Sequence, residues 1–108
     1  MASLNGTYQG IVYDPGAQNA ATLTITGSNT NSITSASMAY FGYTFNVSGT
    51  YTTNTLRLQA TSTTGGVILN MMLNSSDGTY QHLDGTVTVQ QGGPNVGKTY
   101  NMTLQKNP

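Results

Sequence analysis

The stretch Tyr43-Thr44-Phe45-Asn46-Val47-Ser48-Gly49-Thr50-Tyr51 decides the fold class of this chain. Every odd position in it is apolar, aromatic or glycine, and every even position is polar. Successive side chains of a β-strand point to opposite faces, so this period of two predicts a strand with one buried face. Its aromatic and β-branched residues favour the same pleated conformation.

The same alternation recurs along the chain, and helical spacing is nearly absent. Residues that favour turns separate the segments, for example Asp14-Pro15-Gly16, Gly65-Gly66 and Asp77-Gly78. Short strands at this spacing are typical of a β-barrel or a β-sandwich. The predicted strands are 4–13, 20–27, 32–39, 42–52, 54–62, 66–74, 79–90 and 98–106.

Nearly every predicted strand has one apolar face, so the sheet must close on itself or pack against a second sheet. Eight strands form a barrel that side chains can fill or that can hold one small ligand. We therefore predict an all-β, eight-stranded antiparallel up-and-down β-barrel that occupies residues 1–108 as a single domain, with a β-sandwich as the alternative. The predicted inward residues are Leu4, Tyr8, Val12, Leu23, Ile25, Tyr43, Phe45, Val47, Tyr51, Leu56, Leu58, Val67, Leu69, Met71, Leu73, Leu83, Val87, Val89, Tyr100, Met102 and Leu104.

A short repeat of the form aliphatic-x-Gly-Thr-apolar occurs at 4–8, 47–51 and 83–87. In each copy the glycine lies on the apolar face of a predicted strand. A glycine inside a strand marks a bend, a bulge or a close approach of two backbones. We interpret these glycines as the bends that a small barrel needs in order to curve its strands.

The opening Leu4-Asn5-Gly6-Thr7-Tyr8 and the later Gly-Thr-Tyr strand resemble the avidin and streptavidin family, and other small calycin-type barrels. The resemblance implies a barrel architecture. That family lines its site with tryptophans, which this chain lacks, and Gly10 stands where the family has a polar residue that contacts the ligand. No ligand-binding residue is therefore carried over.

Composition excludes several functions. The chain has no cysteine, and three basic residues balance three acidic ones, so that 6% of residues are charged. Nucleic-acid and anionic-membrane surfaces need clustered Lys and Arg, so we expect neither partner, nor membrane insertion. One His and scattered Asp give no metal-ligand spacing, and no cofactor is expected. Hydroxyl- and amide-rich composition of this kind is typical of secreted or cell-surface proteins, although the start of the chain does not resemble a signal peptide.

His82 is the only histidine and gives the one local pattern that suggests catalysis. Strand alternation places Tyr80, His82 and Asp84 together on the outer face. Positions two apart on a strand are separated by about 6.6 Å, and no nucleophile is specified nearby. We interpret these side chains as a solvated surface and do not expect an enzyme.

The barrel mouth is the preferred site. In up-and-down order the loops at 14–19, 40–42, 63–66 and 91–97 share one end of the barrel, and aromatic side chains lie near it. Aromatic rings beside amide and carboxyl groups suit sugars or small apolar ligands, which often enter barrel mouths. We predict a non-catalytic binding module for a neutral carbohydrate or small apolar ligand. The alternative is a structural or interaction protein, or an inhibitor, that uses a filled barrel as a scaffold for loops. The predicted ligand-binding residues are Tyr13, Asp14, Tyr40, Phe41 and Asn95.

Some apolar side chains point outward if the inward face is assigned correctly. They lie on the first strand, at Ile11, and on the sixth, at Ile68 and Met72. Apolar stripes on a surface rich in Thr and Asn suggest packing against another copy of the chain. We therefore expect a homo-oligomer, with a twofold dimer as the commonest form.

Overall fold

The computed structural model describes residues 4–14, 17–75, 78–92 and 96–107. Eight antiparallel strands make up most of this part of the chain. Within it there is no helix of the length and hydropathy that crossing a membrane requires. The strands are β1 (Gly6–Asp14), β2 (Ala17–Asn29), β3 (Ser32–Tyr40), β4 (Tyr43–Tyr51), β5 (Thr55–Ser62), β6 (Ile68–Asn74), β7 (His82–Gln91) and β8 (Thr99–Lys106).

The strands form one closed barrel in the order β1 to β8, and each pairs with its neighbours along the chain. β1 closes the barrel by pairing with β8, with Tyr8 opposite Lys106 and Tyr13 opposite Asn101. The prediction of an up-and-down barrel is confirmed, and the sandwich alternative is wrong. Closure gives every strand two hydrogen-bonded partners. An exposed edge strand is commonly protected from aggregation by charged side chains, and a closed barrel does not need them.

The side chains that alternate inward form one core. Phe45, Leu58 and Leu69, which lie on three successive strands, are almost completely buried. Most of the predicted inward residues are buried in the same way, and Tyr43, Tyr51 and Val67 are partly buried against them. The period-two pattern therefore identified the inner face correctly.

Glycines in the middle of strands mark places where neighbouring backbones approach very closely. A Cβ added at Gly10 would lie 1.7 Å from the carbonyl oxygen of Thr103, and one added at Gly85 would lie 1.8 Å from that of Met72. At Gly49 the corresponding distance, to the Arg57 oxygen, is 2.1 Å. No side chain fits at these positions. The predicted role of the repeat glycines as bends agrees with this geometry for Gly49 and Gly85, and Gly10 has no room for a ligand-binding side chain.

Most predicted strand boundaries lie within two residues of those in the structure, and two are wrong by three residues. The predicted loop 14–19 is mostly strand, because β2 starts at Ala17 and pairs with β1 from there, with Tyr13 opposite Gln18. The seventh strand begins at His82 rather than at 79. Tyr80, predicted on the outer face, is buried and has a φ of 61°, a left-handed conformation that ends the alternation before the strand begins.

Candidate functional site

The two ends of the barrel differ in how they are built. The connections β1–β2, β3–β4, β5–β6 and β7–β8 lie at one end, which we call the Phe41 end. The connections β2–β3, β4–β5 and β6–β7 lie at the other, which we call the Tyr80 end, together with the residues that precede β1 and follow β8. The predicted ligand-binding residues are all on strands or connections of the Phe41 end.

Exposed apolar side chains concentrate at the Phe41 end. Among the described residues, the large apolar side chains with the greatest exposure are Phe41 (62%), Val96 (53%), Met72 (45%) and Tyr13 (42%). Met72 alone among them lies in the middle of a strand rather than at this end. The Phe41 end therefore offers apolar surface to solvent, which is a feature of interaction sites.

The predicted site residues are only partly brought together. Tyr40 is buried in the core at 9% exposure, with its ring centroid 5.9 Å from that of Phe41. Tyr13 points outward from β1, and Asp14 is the last residue of that strand. Asn95 lies outside the described residues. Of the predicted aromatic residues, Phe41 and Tyr13 expose their rings to solvent, whereas the Tyr40 ring is buried beside that of Phe41.

Phe41 occupies a position that a phenylalanine rarely takes. Tyr40 pairs with Tyr43, so Phe41 and Gly42 form a two-residue hairpin. Both have positive φ, 53° and 78°, as a type I′ turn requires. Asn and Gly tolerate this conformation, whereas a bulky side chain there costs about 1 kcal/mol. Strained residues of this kind cluster at functional sites.

At the Tyr80 end, tyrosine hydroxyl groups donate hydrogen bonds to backbone carbonyl oxygens. The Tyr80 hydroxyl donates to Thr52 (3.0 Å), the Tyr51 hydroxyl to Asn29 (2.7 Å) and the Tyr8 hydroxyl to Leu4. The rings of Tyr51 and Tyr80 also meet edge to face, with centroids 6.2 Å apart. Buried tyrosines need such partners. These hydrogen bonds lie beside a groove of about 300 Å³ at this end, which is lined by Leu4, Tyr51 and Tyr80 among others.

Burial raises the pKa of Tyr8 to about 12, with a smaller contribution from the negative charge that Tyr80 would carry if ionised. Burial raises the pKa of Tyr80 as well, assisted by Tyr51. Both hydroxyls therefore stay protonated at neutral pH and act as hydrogen-bond donors. The sequence prediction missed this network, because Tyr80 was assigned to the opposite face.

His82, Asp84 and Thr103 form a polar cluster on the outer face of β7 and β8. His82 Nε2 lies 3.0 Å from Asp84 Oδ1, closer than the separation along the strand suggested. The Thr103 hydroxyl donates to the same Asp84 oxygen at 2.8 Å. The same hydroxyl also lies 3.4 Å from His82 Nε2, and the His82 and Asp84 side chains are both exposed. Within the described residues, no three acidic or histidine side chains are placed to hold a metal ion.

Comparison of the chain with protein-family models, with curated proteins and with solved structures finds no match. The closed eight-stranded antiparallel barrel is consistent with a calycin-like architecture, and no family match supports the narrower resemblance to avidin and streptavidin.

The residues predicted to form an interface lie on separate parts of the barrel. Ile11 is on β1, whereas Ile68 and Met72 are on β6, and β7 and β8 lie between these two strands. Ile11 and Ile68 are partly buried, and Met72 is exposed. These residues do not form one continuous apolar stripe.

Proposed function

We propose that this protein is a non-catalytic binding module that holds a neutral carbohydrate on the outside of the Phe41 end. The observation that carries the proposal is Phe41 itself, an exposed aromatic ring at the tip of a two-residue hairpin in a strained conformation. The hairpin is fixed by pairing on both sides, so the ring is presented without a large loss of backbone freedom on binding.

The surroundings of Phe41 support a neutral, hydroxyl-bearing ligand. Tyr13 at the same end adds a second exposed ring with a hydroxyl group. The whole chain has few charged residues, so an ionic ligand would find few side chains of opposite charge to pair with. The core side chains occupy the inside of the barrel, which directs the ligand to the rim rather than to the interior. The proposed site outside the barrel therefore owes nothing to the ligand site of the avidin family, and the resemblance concerns the barrel architecture alone.

The second candidate is an interaction protein in which the filled barrel presents Phe41 to a partner protein. It is favoured by the packed core and by the exposure of Phe41, which suits insertion into a pocket of the partner. Exposed aromatic residues often dominate the free energy of binding at protein interfaces. The two candidates share the same surface and differ in the ligand.

Titration of the ¹⁵N-labelled protein with uncharged oligosaccharides (cellohexaose, mannohexaose and chitohexaose) tests the proposal by NMR. We expect saturable shifts around Phe41 with at least one of them. Phe41→Ala and Tyr13→Ala should weaken that binding about tenfold or more, a loss of ~1.4 kcal/mol. Gln105→Ala is the control, because Gln105 is exposed on β8 near the Tyr80 end and its loss should have no effect. Absence of binding to all three sugars would contradict the carbohydrate proposal and favour a protein partner.

We also propose a secreted or cell-surface location and self-association as a dimer. A surface rich in hydroxyl and amide groups supports the location, and exposed Met72 on β6 is the strongest support for a contact between copies. Light scattering should give twice the mass of the chain. A mass of one chain at high protein concentration would contradict the dimer.

A further inference from the structure

A groove runs across the outer face of β4 to β7, away from the Phe41 end. It has a volume of about 440 Å³, and a second groove of about 520 Å³ adjoins it and shares Thr50 and Arg57. Both volumes are within the range of small-molecule sites. The side chains at the first groove include Ser48, Thr50, Arg57, Gln59, Asn70, Met72, Thr86 and Thr88.

Two copies of the glycine repeat flank this groove. Gly49 of β4 lies against the Arg57 carbonyl, and Gly85 of β7 lies against the Met72 carbonyl. Arg57 and Met72 are paired opposite each other on β5 and β6. The backbone therefore approaches its neighbour closely on both sides of one cross-strand pair. The groove lies over the strands that these two close approaches bring together.

Arg57 is the only arginine in the sequence, and of the residues that the structure describes it is the only charged one that lines either groove. It is exposed, and among the described residues no carboxylate lies within ion-pair distance of it. Its guanidinium group has five N–H donors in a planar fork that matches a carboxylate. The threonines of the two repeat copies, Thr50 and Thr86, add hydroxyl groups to the same groove.

We propose that this groove binds an acidic saccharide, with the carboxylate of a uronic acid on Arg57. The hydroxyl and amide groups of Thr50, Gln59 and Asn70 match the hydroxyl groups of a sugar ring. The adjoining groove, which continues past Tyr51 and Asn31, gives room for the next sugar of the chain. This site is separate from the Phe41 end and does not depend on what binds there.

An acidic peptide fits the groove less well. Extended peptides commonly bind by adding a strand to a free sheet edge, which supplies their main-chain hydrogen bonds. The barrel is closed, so β4 to β7 already have two partners each. Single hydroxyl and amide side chains remain as partners, and these suit a ligand that carries many hydroxyl groups.

The test is an NMR titration with trigalacturonate and, as matched probes, its fully methyl-esterified form, sodium acetate and a triglutamate peptide. We expect trigalacturonate to shift the amide signals of Thr50, Arg57 and Asn70 saturably. The methyl ester should bind about tenfold or more weakly, because it lacks the charged partner of Arg57. Acetate should bind much more weakly than trigalacturonate, because it lacks the hydroxyl groups.

Binding measurements on variants of the protein provide a second test. Arg57→Gln should weaken trigalacturonate binding about tenfold or more, and Arg57→Lys should restore only part of it, since lysine keeps the charge but not the planar fork. Lys98→Gln removes the same charge from an exposed position outside the groove and should leave binding unchanged. Equal binding of the methyl ester, equal loss with Lys98→Gln, or no saturable shift would overturn the proposal. Equal binding of triglutamate or acetate would overturn its assignment to a saccharide.

Discussion

The Tyr80 end and the Phe41 end both contain a two-residue hairpin, and they use it differently. At the Tyr80 end, Thr30 and Asn31 connect β2 to β3, and Asn31 takes the left-handed conformation with φ 68°. At the Phe41 end, Phe41 takes that conformation instead. Asn tolerates it and Phe does not. Tyr80 takes it as well, with φ 61°, but its ring is buried and its hydroxyl is hydrogen-bonded, whereas the ring of Phe41 is exposed. Burial therefore accounts for Tyr80 in this conformation, whereas it does not account for Phe41.

The hydrogen bonds follow the same division. The Tyr80 end is held together by hydrogen bonds of the tyrosine hydroxyls and of buried Ser75. The Ser75 hydroxyl accepts a hydrogen bond from the Tyr80 backbone N–H at 3.1 Å. The Phe41 end has a buried ring, Tyr40, and an exposed one, Phe41, in contact. Aromatic residues at the first end should matter for folding, and those exposed at the second should matter for binding.

The largest expected effect comes from one aromatic residue at each end. Tyr8→Ala removes a completely buried ring and its hydrogen bond, and should lower the free energy of unfolding by about 3–5 kcal/mol. Phe41→Ala removes an exposed ring and should change it by about 0.5 kcal/mol or less. Urea denaturation of both variants measures the difference. Similar losses would show that the two ends have the same structural role.

Ser75→Ala tests the hydrogen bonds of the Tyr80 end with a smaller change of side chain. Ser75 is fully buried, and its loss leaves the Tyr80 N–H without this acceptor. An unsatisfied buried donor costs about 1–3 kcal/mol. Ser48→Ala, at an exposed position on β4, is the control and should be nearly neutral. A neutral Ser75→Ala would mean that the 75–81 connection does not contribute to closing the barrel.

Alkaline pH should weaken the Tyr80 end. The pKa of Tyr8 is raised by burial to about 12, above the ordinary value of 10.0, and that of Tyr80 is raised too. Below pH 10 these tyrosines are protonated in both the folded and the unfolded states, and stability is at its full value. Above pH 10 the unfolded chain loses protons that the folded protein keeps, so the free energy of unfolding falls as pH rises toward 12.

Tyr8→Phe provides the control for that pH dependence. The variant has no hydroxyl to ionise at this position, so its stability should fall less steeply between pH 10 and 12 than that of the wild type. Denaturation at several pH values in this range measures both slopes. Identical slopes would contradict the assignment of the effect to Tyr8.

The inner face of the barrel could be predicted from sequence because it depends on a local rule. Alternation along Phe45 and Val47 on β4 fixes which side chains face the core, whatever the partner strands are. The placement of Tyr13 and Phe41 toward the same end of the barrel could also be predicted, since it follows from antiparallel order alone. These predictions needed no knowledge of distances between strands.

The Tyr80 end could not be predicted by that rule. A single left-handed residue, Tyr80, reverses the faces before β7, and the period-two pattern gives no sign of it. The contact between His82 and Asp84 was missed for another reason: the rise along a strand measures backbone separation, whereas two side chains on one face can lean together to 3.0 Å. The groove at Arg57 was missed because it is lined by residues of several strands, which the pattern along a single strand does not relate to one another.

An expected gain of stability at Phe41 is the most informative change, because its sign is opposite to that of the change in binding. Phe41→Asn places the preferred residue before Gly42 in a type I′ hairpin and should raise the free energy of unfolding by about 0.5–1 kcal/mol. The same change removes the exposed ring and should abolish oligosaccharide binding at the Phe41 end. Thermal denaturation and the sugar titration measure the two effects on one sample.

A variant that is less stable would show that Phe41 is held by packing against Tyr40 and is a structural residue. A variant that is more stable and still binds would place the ligand elsewhere. Gain of stability with loss of binding is the result that a strained functional residue requires, since selection for folding alone would favour asparagine there.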